Sequence, residues 1–443
     1  MKITTKFAIA AAVTALMGST AYAADLGGSC CADLEERIAE LEATTVRKGN
    51  RKVSVKISGF VGHNVMWWDD GSQSDTYIGD GGNIFSRWRL TGSAKINPDL
   101  EAGFTYEFGV NRHSISGANQ GNGAVANGAG QGDDGGECTD SCLRDSTVYL
   151  KHKHLGMLKV GQGSSATDNL VLIDLGNRSA AGTMDIGLYN GGFQLRNSAG
   201  VFLPGSWGNA VRGHTSFDTF RTNHVLYETP SLAGFTVQAA VAEDNLWDVA
   251  LRYAGEFHGV RVAFGIGYLS DTEFNSPVGG ITVGANTVSC VNNCDVEVSE
   301  WKGSASLLHV PTGLFLTGAY AHRELDGQRT AGVAASSYTG PDLNNWHLSG
   351  GVAKNFFGIG NTVLFAEYSS SEGGLEQAGF LSGAQVWSNT DMTHWGIGIN
   401  QYVDASATQI FLTYKNFEVD GTIAAARQSS EFSTVIAGMR VDF

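Results

Sequence analysis

Apolar and polar residues alternate with a period of two along most of the chain from Val53 to the carboxyl end. The segment 432–443 shows the pattern clearly, because one of its faces carries the apolar residues Val435, Ala437, Met439, Val441 and Phe443. The segments 100–111 and 258–268 repeat it, with aromatic and β-branched residues on one face and mostly small, polar or charged residues on the other. Such alternation predicts β-strands with one apolar face and one wet face.

About sixteen segments of this kind follow one another, each about as long as the ten or so residues with which a tilted strand crosses a bilayer. They lie near 53–68, 84–96, 100–112, 145–153, 156–163, 222–229, 234–243, 246–257, 259–270, 298–309, 313–324, 343–355, 360–370, 391–402, 405–418 and 432–443. We therefore predict an all-β fold in which residues 53–443 form a 16-stranded antiparallel transmembrane β-barrel.

The connections between these segments alternate between short and long. Short turns occur at 97–99, 154–156, 231–233, 257–259, 311–313, 358–360 and 403–405. Long stretches rich in Gly, Ser, Asn and Asp occupy 113–144, 164–221, 271–297, 325–342 and 371–390. Short periplasmic turns and long external loops are typical of outer-membrane barrels. A soluble β-sandwich is the alternative, but it seldom places so many long loops on alternate connections.

Residues 1–23 are predicted to be a secretory signal peptide. Lys2 and Lys6 precede the apolar run 7–17, and Ala21-Tyr22-Ala23 has the small residues of a cleavage site. No later run of about twenty apolar residues predicts a spanning helix. The formal net charge of −15 excludes nucleic acid as a partner. Together with the strand pattern, these features place the mature chain in the outer membrane, in contact with lipid and lipopolysaccharide.

Residues 24–52 differ from the rest, because they contain a segment without glycine that favours a helix over 33–46. Leu34, Ile38 and Leu41 recur at the spacing of a coiled-coil seam. A helix of fewer than four turns is marginal alone in water. We predict a short periplasmic coiled coil formed by three protomers, and a lone helix at the barrel mouth is the alternative.

The six cysteines form three close pairs. A secreted chain meets oxidising conditions, so we expect Cys138 to bridge Cys142 and Cys290 to bridge Cys294, each within one loop. No histidine stands beside the 138/142 pair as a zinc ligand would. Cys30 and Cys31 are adjacent and bridge each other only with strain, so we expect interchain disulfides between protomers. A free pair is the alternative.

The sequence CCADLEERIAELE at residues 30–42, continued by RKGNRKV at 47–53, resembles the mature amino terminus of alphaproteobacterial (rhizobial-type) general porins. KINPDL at 95–100, LKVGQ at 158–162 and the terminal VDF are similar to further segments of that family. The terminal Phe443 resembles the signal that the outer-membrane assembly machinery recognises. The resemblance implies a trimeric sixteen-stranded barrel, diffusion of small solutes, and a constriction loop folded into the lumen. It also makes attachment to peptidoglycan plausible.

The longest connection, 164–221, which we name the constriction loop, is expected to fold inward and narrow the lumen, because long loops in compact proteins are usually functional. Its acidic residues are Asp168, Asp174 and Asp185. A loop that merely caps the barrel outside is the alternative. Strand parity points a set of basic side chains into the lumen: Arg87, Arg89, Lys95, Lys151, Lys159, Arg252 and Arg261. An acidic loop opposite a basic wall would create a transverse field across the pore.

No catalytic, metal-binding or cofactor-binding motif stands out, so we expect a channel and not an enzyme. A homotrimeric outer-membrane porin for small hydrophilic solutes and ions is the leading hypothesis. A substrate-selective channel would show a lumen track of aromatic residues, for which Phe60, Trp68 and Phe411 are candidates. A barrel enzyme and a peptidoglycan-linked envelope tether are further alternatives. The acidic mouth predicts a mild preference for cations, which the basic wall opposes.

Overall fold

The computed structural model describes residues 53–81, 85–109, 115–121, 142–212, 221–243, 245–275, 281–283, 286–288, 294–329, 337–382 and 386–443. Its strands are β1 (Ser54–Asp69), β2 (Ser74–Asp80), β3 (Arg87–Lys95), β4 (Leu100–Gly109), β5 (Cys142–His152), β6 (Gly156–Ser164), β7 (Gln194–Arg196), β8 (Phe202–Ser206), β9 (Arg221–Glu228), β10 (Phe235–Ala242), β11 (Trp247–Phe257), β12 (Val260–Asn275), β13 (Ile281–Val283), β14 (Asn286–Val288), β15 (Cys294–His309), β16 (Leu314–Arg329), β17 (Ser337–Thr339), β18 (Leu343–Lys354), β19 (Thr362–Glu372), β20 (Trp387–Val403), β21 (Thr408–Ile423) and β22 (Ala426–Asp442).

Helices are few among the residues that the structure describes. Those α-helices are α1 (Trp207–Arg212) and α2 (Gly374–Ser382), and four short 3-10 helices cover Ile115–Gly117, Leu170–Leu172, Ile186–Leu188 and Asp404–Ser406. No helix among the described residues is long and apolar enough to span a membrane. The predicted amino-terminal helix over 33–46 lies outside the described residues.

Each long strand pairs antiparallel with the next one along the chain, and the sheet closes on itself. Closure joins β1 to β22, with residues 60–69 of β1 opposite residues 442–433 of β22. The second strand of the wall is split into β2 and β3. β3 pairs with residues 54–60 of β1, and β2 pairs with residues 63–69. Counting β2 with β3 as one wall strand, and likewise β17 with β18, which both pair with β16, gives a closed barrel of sixteen strands, as the periodicity predicts. The first residues of β1, the last residues of β22 and the short turns lie at one end of the barrel, the turn end, and the long connections start and finish at the opposite end, the loop end.

The outer and inner faces of the wall differ as alternation requires. Exposed Val, Ile and Leu side chains cover the outside. Near the loop end, aromatic side chains project outward from eight consecutive wall strands, at Trp247, Tyr268, Trp301, Tyr320, Trp346, Tyr368, Trp395 and Tyr414. Neighbours within this belt are in contact, with ring centroids 4.6 Å apart for Tyr268 and Trp301 and 5.2 Å apart for Trp395 and Tyr414. Aromatic belts mark the interface between lipid and water in transmembrane barrels.

The predicted strands occur where expected, but several extend farther toward the loop end. β12 continues to Asn275, β16 to Arg329 and β21 to Ile423. Beyond the aromatic belt neither face meets lipid, so backbone pairing continues while the hydrophobic alternation fades. The last hairpin then closes tightly, with Ala424 and Ala425 both at positive φ.

The main apolar core lies inside the barrel and not between two layers. It joins residues of the constriction loop to inward side chains of β1 and β19–β22, and its largest members include Trp68, Phe193, Trp207, Phe417 and Phe432. The loop therefore folds inward and packs against one side of the wall.

Candidate functional site in the barrel lumen

The constriction loop is fixed at its start by two charged side chains of β11. The Asp248 carboxylate accepts hydrogen bonds from the backbone N–H groups of Ala166 (3.2 Å) and Thr167 (2.7 Å). The Arg252 guanidinium donates to the carbonyl oxygens of Ala166 (3.0 Å) and Asp168 (2.6 Å). The Asp248 carboxylate and the Arg252 guanidinium thus hold the loop backbone at the point where it leaves the wall.

The loop then follows the inner surface of the wall through strands β15 to β22. The Leu175 N–H donates to the Ser306 hydroxyl at 2.9 Å on β15. Farther on, Asn400 of β20 donates to the Arg178 carbonyl at 3.1 Å, and the Tyr402 hydroxyl donates to the Asn177 carbonyl at 2.9 Å. Since wall side chains satisfy these backbone groups, residues 173–185 of the loop need no regular structure of their own.

A buried ion-pair cluster, which we name the anchor cluster, holds the middle of this path. Its members are Asp174 and Arg178 of the loop, with His347, Glu367, His394 and Lys415 of the wall. Arg178 pairs with Asp174 at 2.9 Å and with Glu367 at 2.7 Å. Glu367 also pairs closely with Lys415, whose ammonium lies 4.0 Å from the centre of the Tyr189 ring.

Charges in the anchor cluster are balanced. Two carboxylates face two permanent cations, and both imidazoles are buried beside them. Burial lowers the pKa of the Arg178 guanidinium, but the charges of Asp174 and Glu367 outweigh burial and raise that pKa above its ordinary value. The guanidinium therefore stays charged and locks the loop to β19.

The second half of the loop returns along the wall and ends in α1. Hydrogen bonds from Arg323 (3.1 Å) and Asn345 (3.1 Å) reach the carbonyls of Arg212 and Val211 at the end of this helix. These wall groups satisfy carbonyls that a helix terminus leaves open.

A second loop folds inward at this point. α2 packs on α1, and the Trp387 indole N–H donates to the Pro204 carbonyl at 2.7 Å. Residues 115–121 of the connection 113–144 also lie inside, because Ile115 and Ala118 belong to the main apolar core. Among the described residues, long connections besides the constriction loop therefore shape the lumen, whereas the sequence predicted only that one.

The lumen face of β3, β4 and β5, which we name the uncovered wall, lies outside the path that the described part of the loop, residues 164–212, follows. It carries three arginines around one carboxylate. Glu107 pairs with Arg87 at 3.1 Å and with Arg144 at 3.0 Å, and the Arg89 Nε donates to it at 2.6 Å. Arg89 is 42% exposed. The three guanidinium groups outnumber the carboxylate that they share, and a second carboxylate, Asp145 of β5, lies opposite Glu107 on the same face.

The structure places the predicted acidic residues within the loop, each beside an arginine. Asp174 pairs with Arg178, Asp185 lies 3.7 Å from Arg212, and Asp168 lies 3.9 Å from Arg221. These carboxylates are turned toward cations on their own side of the lumen. The arrangement does not bring them together with the basic residues of the uncovered wall.

The predicted basic residues are spread over the whole height of the barrel. Arg87 and Arg89 meet at Glu107, and Arg252 holds the loop. Lys159 donates to the Ser164 carbonyl at 3.2 Å. Arg261 pairs with Glu256 at 2.9 Å near a turn, with both side chains partly exposed. Lys95 is exposed next to another turn, and Lys151 is half-buried.

Sequence reasoning missed Glu107, Arg144 and most of the anchor cluster. Glu107, Glu367 and Lys415 all stand at inward positions of predicted strands, so parity could have found them. Arg144 could not be found this way, because an irregularity in the β4–β5 register lies beside it. Among the aromatic candidates, Trp68 and Phe411 are buried and only Phe60 remains half-exposed, so the three do not form a track.

Several predicted features fall outside the described residues. These are the coiled-coil seam of Leu34, Ile38 and Leu41, and the cysteines at 30, 31, 138 and 290. Cys142 and Cys294 begin β5 and β15, so neither loop pair is described whole. Phe443 is described, and its backbone exchanges hydrogen bonds of 2.8 and 2.9 Å with Gly59. Within the described part of the chain, no group of three or more His, Cys, Asp or Glu is arranged to hold a metal ion.

Comparison with known proteins adds family information. A family model described as Gram-negative porin matches residues 8–422. No curated protein matches the chain closely enough to count as a relative.

Solved structures with a similar fold include three proteins of low sequence identity. An anion-selective porin from Comamonas acidovorans is 17% identical and has a TM-score of 0.54, over 88% of this chain and 100% of that one. OprB of Pseudomonas putida in a high-pH structure is 10% identical with a TM-score of 0.54, over 93% and 97% of the chains. OmpF of Salmonella typhi in complex with daunomycin is 12% identical with a TM-score of 0.52, over 90% and 100%.

Proposed function

Because this chain belongs to the Gram-negative porin family and so forms a channel in the outer membrane, we propose that small hydrophilic solutes and ions diffuse passively between its constriction loop and its uncovered wall. The observation that carries this proposal is the path of the loop, which is bound to strands from β11 round to β22 and leaves β3–β5 facing the lumen. A loop fixed in this way narrows the channel without closing it.

We further propose that the channel prefers anions. The acidic residues at the mouth of the channel predict a cation preference. Within the channel, however, the carboxylates of the constriction loop are paired with arginines. On the uncovered wall, three guanidinium groups share Glu107. Since a net charge within the narrow region acts on ions at shorter range than charges at the mouth, the wall should set the sign of selectivity.

The assembly proposed is a homotrimer in contact with lipid and lipopolysaccharide. Support comes from the family and from the coiled-coil seam at Leu34, Ile38 and Leu41. The same amino-terminal motif supports the narrower alphaproteobacterial affiliation and leaves room for attachment to peptidoglycan. Phe443 is proposed as the residue that the assembly machinery recognises, because its side chain is exposed on the outer face at the end of β22.

Planar bilayers test the proposal directly. Purified wild-type protein should give large ohmic conductance steps grouped in threes, and a salt gradient should give the reversal potential of an anion-preferring pore. Arg89→Gln should shift that potential toward cation preference, while Arg427→Gln, which removes the same charge from an exposed position at the loop end, should leave it unchanged. Silence of the reconstituted protein would refute the channel. A cation-preferring wild type would refute the selectivity alone.

A further inference from the structure

The two buried histidines of the anchor cluster, His347 of β18 and His394 of β20, are joined by the hydroxyl group of Ser369 on β19. The Ser369 Oγ lies 2.7 Å from His347 Nδ1 and 3.4 Å from His394 Nδ1. On its other side, His347 Nε2 lies 3.2 Å from a guanidinium nitrogen of Arg178. The His394 Nε2 lies 3.7 Å from a carboxylate oxygen of Glu367. Because Arg178 and Glu367 pair at 2.7 Å, these five side chains form a closed ring.

The ring has a consistent set of proton positions when both imidazoles are neutral. A guanidinium group can only donate, so His347 Nε2 accepts from Arg178 and carries no proton. The proton of the neutral His347 ring is then on Nδ1, which donates to Ser369. The Ser369 hydroxyl donates in turn to His394 Nδ1, so the His394 Nε2–H faces Glu367. Each donor of the ring therefore faces an acceptor.

An additional proton on His347 does not fit this arrangement. The Nε2 would become a donor facing a donor of Arg178 at 3.2 Å, and two cations would be in contact. The carboxylates nearby already have cationic partners, so they do not offset the added charge. The other ionisable groups packed around the two imidazoles are Asp174, Tyr189 and Asp185 of the loop, the last beside Arg212, and Glu367 and Lys415 of the wall.

A recess between the constriction loop and the wall reaches the His347 imidazole. Its volume is about 320 Å³, and its lining includes Val171, Met184 and Asp185 of the loop opposite Asn345 and His347 of β18. The imidazole therefore lies at the boundary between loop and wall, where a small separation of the two would bring it into contact with the water of the lumen.

We propose that His347 makes the docking of the constriction loop sensitive to pH. The neutral ring accepts a hydrogen bond from Arg178 and holds the loop on the wall, and the protonated ring repels Arg178 and releases the middle of the loop. Ser369 and His394 are positioning residues, because they hold the tautomer that presents a bare Nε2 to the loop. This inference rests on the proposed channel function and adds to it a form of regulation by protons.

The size and sign of the effect follow from linkage. The proton binds the released state and not the docked state, so docking has its full strength above the ordinary pKa of a free imidazole, about 6.5, and weakens as the pH falls below it. At pH 5 a free imidazole is protonated about thirty times more often than not, so the equilibrium shifts about thirtyfold toward the released loop. Ordinary carboxylates have pKa values near 4 and keep most of their charge over this range.

Single-channel recording of the full-length protein at pH 7.5 and at pH 5 tests the proposal. The fraction of time with fluctuating open-channel current should rise at least about tenfold in the wild type on acidification, because the released loop moves in the lumen. His347→Gln keeps an acceptor for Arg178 and cannot take up a proton, so it should be as quiet as the wild type at pH 7.5 and remain so at pH 5. Ser369→Ala weakens the docked tautomer and should move the midpoint of the response to higher pH.

The matched control is His154→Gln, which removes an exposed imidazole from a short turn and should respond to pH as the wild type does. An equal response to pH in the wild type and in His347→Gln would overturn the proposal. If His347→Gln does not insert, the wild type alone decides, because the fluctuating fraction must rise by up to about tenfold per pH unit below pH 6.5, and a flat profile down to pH 5 contradicts it. In each case an intact conductance at pH 7.5 would leave the channel function standing, whereas a silent wild type would refute both.

Discussion

The anchor cluster predicts a large response to one neutralising substitution, Glu367→Gln. The Glu367 carboxylate is buried and touches Arg178 at 2.7 Å and Lys415 more closely still. The substitution keeps the size of the side chain and removes its charge. Arg178 retains Asp174 as its partner, but Lys415 loses the only carboxylate with which it pairs among the described residues, and keeps the face of the Tyr189 ring.

The cost follows from the burial of the remaining cations. Removing one partner from a buried ion pair costs about 3–5 kcal/mol, because the charge left behind stays out of water. An aromatic face returns about 1–2 kcal/mol of that to a desolvated cation. We therefore expect Glu367→Gln to lower the free energy of unfolding by about 1–4 kcal/mol. Since the wall keeps its backbone hydrogen bonds, the barrel should still form and the loop should be the part that loosens.

Two measurements check this expectation. Urea unfolding followed by tryptophan fluorescence gives the free energy, and single-channel recording should show a noisier current from the loosened loop. Glu431→Gln, at an exposed outward position, is the matched control and should change stability by less than about 0.5 kcal/mol. Adding Lys415→Met to Glu367→Gln should restore part of the loss, because the double variant leaves no unpaired cation. A double variant that is no more stable than Glu367→Gln would refute the reasoning.

Three further predictions concern other parts of the chain. Gly59→Ala should destabilise barrel closure by about 1–3 kcal/mol, because the added methyl group would clash with the backbone carbonyl oxygen of Arg87 and lie 2.8 Å from the Phe443 ring; an unchanged urea midpoint would contradict this. Arg252→Gln should raise conductance and noise, because the loop loses two hydrogen bonds at its start; recordings identical to wild type would show that the other anchors suffice. A boiled non-reducing gel should show covalent dimers or trimers that vanish in Cys30→Ser/Cys31→Ser, and a monomer band in both proteins would exclude interchain disulfides.

The wall of the barrel could be predicted from the sequence, because lipid on one side and water on the other impose a period of two on every strand. Charges follow the same rule, since a cation on the lipid face costs about 2–4 kcal/mol near the bilayer midplane. This is why Arg87 and Arg89 were assigned to the lumen from parity alone. The boundaries beyond the aromatic belt, such as the end of β21 at Ile423, could not be predicted, because there the apolar face no longer meets lipid.

The path of the constriction loop was beyond sequence reasoning for a different reason. Its inward fold could be expected from its length, but its anchors are contacts between residues far apart in the chain, such as Arg178 with Glu367 or Asn345 with Val211. The spacing of residues along the sequence does not indicate which distant residues form such pairs. The helix α2 was missed because a loop rich in glycine and serine shows no helical periodicity over its nine residues.

The side of the lumen that the loop covers and the uncovered wall differ in how their charges are paired. On the covered side, carboxylates and cations are matched or nearly so: Arg178 and Lys415 balance Asp174 and Glu367, and Glu300 meets Lys302 at 2.9 Å. Such pairs cancel at short range, so they hold the loop but add little to the field in the pore. On the uncovered wall the cations outnumber the carboxylates, and the surplus extends into the lumen. A transverse field of the kind predicted from the sequence would therefore come from one side only.

It follows that Asp174→Asn should change the stability of the loop and leave selectivity near wild type, whereas Arg89→Gln should change selectivity and leave stability near wild type. Reversal potentials that respond more to Asp174→Asn than to Arg89→Gln would show that the loop carboxylates, although paired, still set the field.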